Sequence, residues 1–236
     1  MTAFFVFILG AMIGSFLNVL ILRLKDNKKF VAGRSYCPKC KHELKWYENV
    51  PLLSFIFLKG KCSYCKQKIS LQYFLVELTT GLLFLLAFLN IFGGLNTPPP
   101  LFKGGLGGVN IYLLYYFITL SFLIIIFVYD LKYYLILDKI VVPAIVIVAI
   151  FQAIFLILNK DPLFIIHYSL FIISAIIISG FFLIQFLVSK GKWIGGGDIR
   201  LGFLMGIILG WPMGLVALFL SYIFGLAVSL PLLILG

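Results

Sequence analysis

Charge is what this sequence has least of. Only 11% of its 236 residues are Asp, Glu, Lys or Arg, 63% are hydrophobic and the mean hydropathy is +1.15, whereas a soluble domain carries roughly 25% charged residues. Polar surface is too scarce to coat a water-soluble globule, which excludes a cytosolic enzyme, a secreted disulfide scaffold and a disordered tail. A transmembrane β-barrel is excluded as well, because the apolar residues run continuously instead of alternating with polar ones. What remains is an all-α integral membrane protein with whatever its loops carry. Acid is scarcer still than base: eight carboxylates against 19 Lys and Arg leave a net charge of +11.

The absence of charge also marks the spans. No Asp, Glu, Lys or Arg occurs in 2–22, 78–102, 104–129, 140–159, 162–189 or 201–236, and each run can hold the roughly 20 apolar residues of a spanning helix. The last run is too long for one helix and is interrupted by Gly210-Trp211-Pro212-Met213-Gly214, a turn signal. The count is therefore about seven transmembrane helices. Gly93-Gly94-Leu95-Asn96-Thr97-Pro98-Pro99-Pro100 ends the run 78–102 and, with Lys103 and the glycines at 104, 105, 107 and 108, predicts a flexible external loop.

Twelve of the 19 basic residues, Arg23 to Lys68, lie between the first two spans, and the positive-inside rule makes that loop cytoplasmic. Threading the remaining spans leaves only Lys103 and Lys160 outside, so the amino terminus is expected out and the carboxyl terminus in. A basic loop against anionic membrane lipid accounts for the net charge without nucleic acid. The first span lacks a basic n-region and a small-residue cleavage site, and reads as a retained helix instead of a secretory signal. Its Gly10 and Gly14 form a small-xxx-small pair that favours close helix packing. The expected organisation is a first transmembrane helix at 1–24, a cytoplasmic loop at 25–70 and a membrane core at 71–236.

All four cysteines fall in that loop, as Cys37-Pro38-Lys39-Cys40 and Cys62-Ser63-Tyr64-Cys65. Two C-x-x-C pairs at this separation are the spacing of a tetrahedral four-thiolate zinc site, and a loop with few apolar side chains needs such a staple to fold. The alternatives are two disulfides, disfavoured in a reducing cytoplasm, or a redox pair, which needs only one C-x-x-C. His42 reads as solvated, since four cysteines already complete the tetrahedron.

Five acids lie outside the loop: Glu77, Asp130, Asp138, Asp161 and Asp198. Carboxylates near hydrocarbon are costly and seldom idle. Asp161 suits a solvated cap in an external turn, Asp138 an N-cap of the fourth span, and Glu77 a structural contact within reach of Lys or Arg. Asp130 closes one apolar run and Asp198 opens another, immediately after Gly195-Gly196-Gly197. In the deduced topology both lie at the cytoplasmic ends of their spans. Two adjacent carboxylates that share a proton can divide the roles of base and acid in peptide hydrolysis, and a glycine run lets a peptide approach the backbone closely. The competing reading makes them unrelated helix-end aspartates paired with Lys132 and Arg200. At the level of function, a zinc-loop adaptor needs neither aspartate, and a proton-coupled transporter needs partners across the bilayer that the outer halves of the spans lack.

These segments resemble the bacterial prepilin leader peptidases, the type IV leader peptidases of the G-x-G-D membrane aspartyl proteases. The resemblance runs through Gly14-Ser15-Phe16-Leu17-Asn18-Val19 with Arg23, through Arg34-Ser35-Tyr36-Cys37-Pro38-Lys39-Cys40, Asn49-Val50-Pro51-Leu52-Leu53-Ser54, Gly60-Lys61-Cys62-Ser63-Tyr64-Cys65 and Ile69-Ser70, then Tyr73 through Glu77 to Gly81, Asp130 with Asp138, and Gly195-Gly196-Gly197-Asp198-Ile199-Arg200-Leu201. It implies a multi-pass enzyme of the bacterial cytoplasmic membrane, with Asp130 and Asp198 as catalytic pair and Gly195, Gly196, Gly197, Asp138 and Glu77 supporting the substrate site. Cys37, Cys40, Cys62 and Cys65 would hold structural zinc. The implied substrates are type IV prepilins and pseudopilins, cut after a glycine at the cytoplasmic face. Many members also methylate the new amino terminus with S-adenosylmethionine, an activity associated with the loop. The sequence departs from the pattern in two places. Leu137 stands where members commonly carry proline, and the chain stops at Leu235-Gly236 where the family usually continues with a Pro-Phe-Gly-Pro-like segment and a further helix. Trp46 and Tyr47 suit either substrate or the membrane surface.

Overall fold

A computed structural model describes residues 1–25, 35–37, 39–92, 105–158 and 162–235. The expectations for Lys160, Asp161 and residues 93–104 lie outside the described residues. The chain divides into two compact units, Met1–Tyr133 and Tyr134–Gly236. The first contains α1 (Thr2–Lys25), a 3₁₀ turn (Trp46–Asn49), the short α2 (Leu53–Phe57), α3 (Leu71–Phe92) and α4 (Gly105–Tyr133); the second contains α5 (Asp138–Leu158), α6 (Pro162–Ser189), α7 (Gly196–Leu209) and α8 (Met213–Leu235).

Six of these helices are long and apolar enough to cross a membrane. The seventh apolar segment, α7, has 14 residues and reaches about 21 Å at 1.5 Å per residue, short of a hydrocarbon core of about 30 Å. It starts only after the turn that follows α6 and stops at Gly210, whose φ of +68° ends the helix. The break before α8 therefore falls where the glycine and proline signals place it. The glycine segment ahead of α4 departs from expectation, because Gly105 already begins the helix; a long apolar run propagates helix into residues of poor intrinsic propensity.

In the first unit α1 and α3 pack through the small-residue pair. A Cβ on Gly10 would lie 2.8 Å from the Cα of Gly81, and one on Gly14 would lie 2.8 Å from the Cα of Glu77. Helix backbones in a membrane associate by such close approach, since burial of apolar surface drives nothing between lipid and leucine. Beside this seam Phe84 is fully buried and stacks on Phe117 of α4, with ring centroids 4.1 Å apart. Asn18, also buried, donates its amide to the Tyr73 carbonyl at 3.1 Å and ties the lower ends of α1 and α3.

The second unit has its own seam between α6 and α7. Glycines recur every four residues at 202, 206, 210 and 214, a spacing that keeps them on one helical face within α7. A Cβ on Gly206 would meet the Cα of Ala175 at 2.4 Å, one on Gly202 the Phe182 ring at 2.5 Å, and one on Gly214 the Ser174 hydroxyl at 2.4 Å. From the other side, buried Gln152 of α5 donates its amide to the Ile207 carbonyl of α7.

Candidate active site and metal centre

The two C-x-x-C segments fold into matching knuckles. In the first, the Cys37 amide donates to the His42 carbonyl at 2.9 Å and the Lys41 amide to the Cys37 carbonyl at 2.9 Å; in the second, the Cys62 amide donates to Gln67 at 2.9 Å and the Lys66 amide to Cys62 at 3.1 Å. Antiparallel bridges close both, Tyr36 with Glu43 and Lys61 with Lys68. Even the strain repeats: Lys41 and Lys66 hold φ of +61° and +58°, at a cost of about 1–2 kcal/mol each for a residue with a Cβ.

This arrangement brings the four sulfurs within 4.8 Å of one another, with Cys37 Sγ 4.0 Å from Cys65 Sγ. Sulfurs bound at about 2.3 Å to one tetrahedral ion stand about 3.8 Å apart, whereas a disulfide holds them at about 2.05 Å. All four thiols are free. The donor set thus fits a metal ion, and neither the two-disulfide nor the single-redox-pair alternative describes it. Backbone amides of Cys65 and Tyr64 bring the Cys62 thiol down to about 7. Cys40 is pushed up to about 11: the His42 amide favours its thiolate, but burial and hydrogen bonds to the other three cysteines oppose it. These two shifts run in opposite directions, and a cation at the centre of the cluster would favour the thiolate form of both Cys40 and Cys62. His42 is no part of the sulfur cluster; its ring stacks on Tyr64 at 4.8 Å and links the two knuckles.

The loop is fastened by two buried carboxylates. Glu48 accepts the Lys45 amide at 2.7 Å, and the Ser63 hydroxyl, with that amide, holds its carboxyl below the usual range. Glu77 of α3 accepts the Leu52 amide at 2.8 Å, with Ser15 of α1 as a side-chain partner. A backbone amide, instead of the Lys or Arg contact its position suggested, is what Glu77 binds; it steadies Leu52 at a φ of +61°.

In the second unit Asp198 is the third residue of α7. Its Oδ2 accepts the Gly195 amide at 2.8 Å, the half of a capping box that a glycine N-cap allows, and this bond holds the carboxylate at the positive end of the helix dipole, while the Asp198 amide donates to the Gly195 carbonyl at 3.2 Å in the first turn. The three glycines ahead of it differ. Gly196 has nothing within 4 Å of a Cβ position, Gly195 meets only the Asp198 carboxylate and the Gly197 amide, and Gly197 packs 2.8 Å from the Ile136 Cβ. The backbone at Gly195 and Gly196 is therefore open, and Asp198 stands half-buried behind it.

Asp138 is the first residue of α5, and its carboxylate forms an ion pair with Arg200. Arg200 is thereby engaged with Asp138, a partnership that the sequence reading missed by weighing Arg200 only against Asp198. The signal was available in the helix start at Asp138, whose negative charge can reach a neighbouring element. Asp130 lies in the last turn of α4, exposed, within the first unit.

Taken together, these features define a multi-pass α-helical membrane protein carrying four cysteines placed so that they could hold one metal ion, and a glycine-presented aspartate. Residues 8–91 match the Bacterial Peptidase A24 N-terminal domain and residues 117–230 the Type IV leader peptidase family. Among curated relatives, a prepilin leader peptidase/N-methyltransferase of Vibrio cholerae is 35% identical over 86% of this chain and 76% of its own length. One of Bacillus subtilis is 31% identical over 93% and 78%. One of Myxococcus xanthus is 54% identical over 35% of this chain, a match that covers 24% of that protein. No solved structure matches the chain. The chain belongs to the type IV leader peptidase family.

Proposed function

We propose that the protein is an aspartic endopeptidase that removes the leader of type IV prepilins and pseudopilins at the cytoplasmic face of the bacterial inner membrane, and N-methylates the residue it exposes with S-adenosylmethionine. The observation that carries this reading is the turn at Gly195–Asp198, an open glycine backbone in front of a fixed carboxylate, within a segment of family resemblance that also includes Asp130. Asp130 and Asp198 form the catalytic pair. One takes a proton from water as it attacks the scissile carbonyl, and the other protonates the departing amine. Extended peptide runs along Gly195 and Gly196, where no side chain stands in the way, while the Asp138–Arg200 ion pair and the Gly197 contact with Ile136 brace the turn. The four cysteines hold structural zinc, which closes the loop at 25–70 but takes no part in hydrolysis. That loop serves methyl transfer, 1–24 is the first transmembrane helix, and 71–236 forms the peptidase core.

The test is leader removal from a prepilin co-reconstituted in membranes, followed by mass. Asp130→Asn and Asp198→Asn keep the side-chain shape and remove the titrating group, and each is expected to lower the rate by about 10²–10⁴-fold in protein that remains folded. Cleavage at the wild-type rate by either variant overturns the pair. Addition of one methyl group that depends on S-adenosylmethionine checks the second activity independently.

A further inference from the structure

The first unit carries an apolar face that the chemistry above does not use. Helix α2 buries none of its residues. Leu53, Ile56 and Phe57, at 52%, 58% and 79% exposure, follow the i, i+3, i+4 spacing that puts three side chains on one face of a helix. Trp46, in the adjacent 3₁₀ turn, is 81% exposed. In water such a face is a liability.

The depth of α2 says what covers it. Phe55 packs on Phe74 of α3 with ring centroids 5.4 Å apart, and the Leu52 amide is held by Glu77. These anchors are three and six residues into α3, so α2 lies beside the first two turns, over about 9 Å of a helix that is itself a membrane span. Headgroup regions are roughly 5–8 Å deep on each side of the hydrocarbon, and helices that lie in the bilayer plane sink about 5–10 Å into that boundary. The chain between α2 and α3 exposes Lys59, Lys61, Lys66 and Lys68, charge suited to anionic headgroups. A soluble partner would have to reach a face level with the bilayer surface.

We propose that α2 is an interfacial anchor: Leu53, Ile56 and Phe57, with Trp46 beside them, insert into the anionic lipid leaflet and hold the metal-stapled loop against the membrane. The inference rests on α3 being a membrane span and not on the peptidase reading, so the two can fail separately.

The sequence has three tryptophans, which permits a direct test on the full chain in vesicles of phosphatidylglycerol and phosphatidylethanolamine. Trp193→Phe with Trp211→Phe leaves Trp46 as the sole tryptophan, excited selectively over the tyrosines, and adding Trp46→Phe and Phe57→Trp moves the reporter onto α2. For both proteins the expected result is blue-shifted emission, loss of intensity with lipids brominated close to the headgroup, and protection from aqueous acrylamide. Quenching by acrylamide without quenching by bromolipid would place the face in water and overturn the proposal. Quenching by neither would mean that protein covers it, which overturns the proposal equally. Trp46 is a native residue, so its result stands even if Phe57→Trp disturbs the loop.

Discussion

The cysteine loop between α1 and α3 and the glycine turn ahead of α7 solve opposite problems with short polar segments. In the loop, side chains supply everything: four sulfurs converge, His42 and Tyr64 stack, and two carboxylates capture backbone amides. In the turn, the absence of side chains at Gly195 and Gly196 leaves a strip of backbone that nothing in its own unit fills. Four thiolates on one ion would complete a tetrahedron and leave no position for substrate, an arrangement suited to stability. An open backbone beside a fixed carboxylate contributes little to stability and is suited to a peptide. Gly206, ten residues after Gly196, shows that glycine alone does not distinguish the two uses, because there the missing Cβ is what lets two helices touch.

Placing side chains where glycine stands should separate these roles by size of effect. Gly206→Leu drives a side chain into the Ala175 backbone, which cannot yield as a side chain does. The expected loss exceeds the roughly 1–3 kcal/mol of ordinary overpacking, and thermal melting in detergent should show the second unit no longer folded. A wild-type melting temperature would mean the α6–α7 seam is not close-packed. Removing metal with a chelator, or Cys62→Ser, should unfold the loop, because its folding free energy is largely metal-binding free energy; limited proteolysis would then cut within 35–70 while α3 stays protected. Gly197→Ala should cost about 1–3 kcal/mol through its contact with Ile136, again read by melting.

Gly196→Ala sharpens the comparison most. It should leave stability unchanged or raise it by up to about 1 kcal/mol from helix propensity, yet slow leader removal, mostly through KM. Unchanged cleavage would separate the open backbone from peptide binding. The smallest effect concerns pH. The Glu48 carboxyl is held below its usual value by Ser63 and the Lys45 amide, so its stabilisation is present above the unfolded carboxylate pKa, near 4.3, and is lost as pH falls through the folded value. Glu48→Gln should lower the stability of the loop at neutral pH and flatten its decline below about pH 4.3; an identical acid profile would remove Glu48 from the account.

Much of the architecture was legible in the chain because membrane spans and metal knuckles are local patterns. Charge-free runs, the break at Gly210-Trp211-Pro212 and the C-x-x-C spacing each lie within a short stretch, and each is found where expected. The small-xxx-small pair at Gly10 and Gly14 is a weak signal, yet the Cβ positions there abut α3. Contacts between distant segments were less legible. Arg200 takes Asp138, Glu77 takes an amide 25 residues upstream, and α2 is hidden in sequence because five residues are too few for periodicity to register.

By itself, then, the sequence determined that this is a helical membrane protein with a loop whose four cysteines are spaced to meet, since hydropathy and cysteine spacing follow from residue type and order. Tertiary structure decided which glycines pack and which stay open, which base each acid meets, and at what depth the loop lies against α3. Those depend on distances between segments far apart in the chain, and residue type sets what a contact is worth without saying which contact is made.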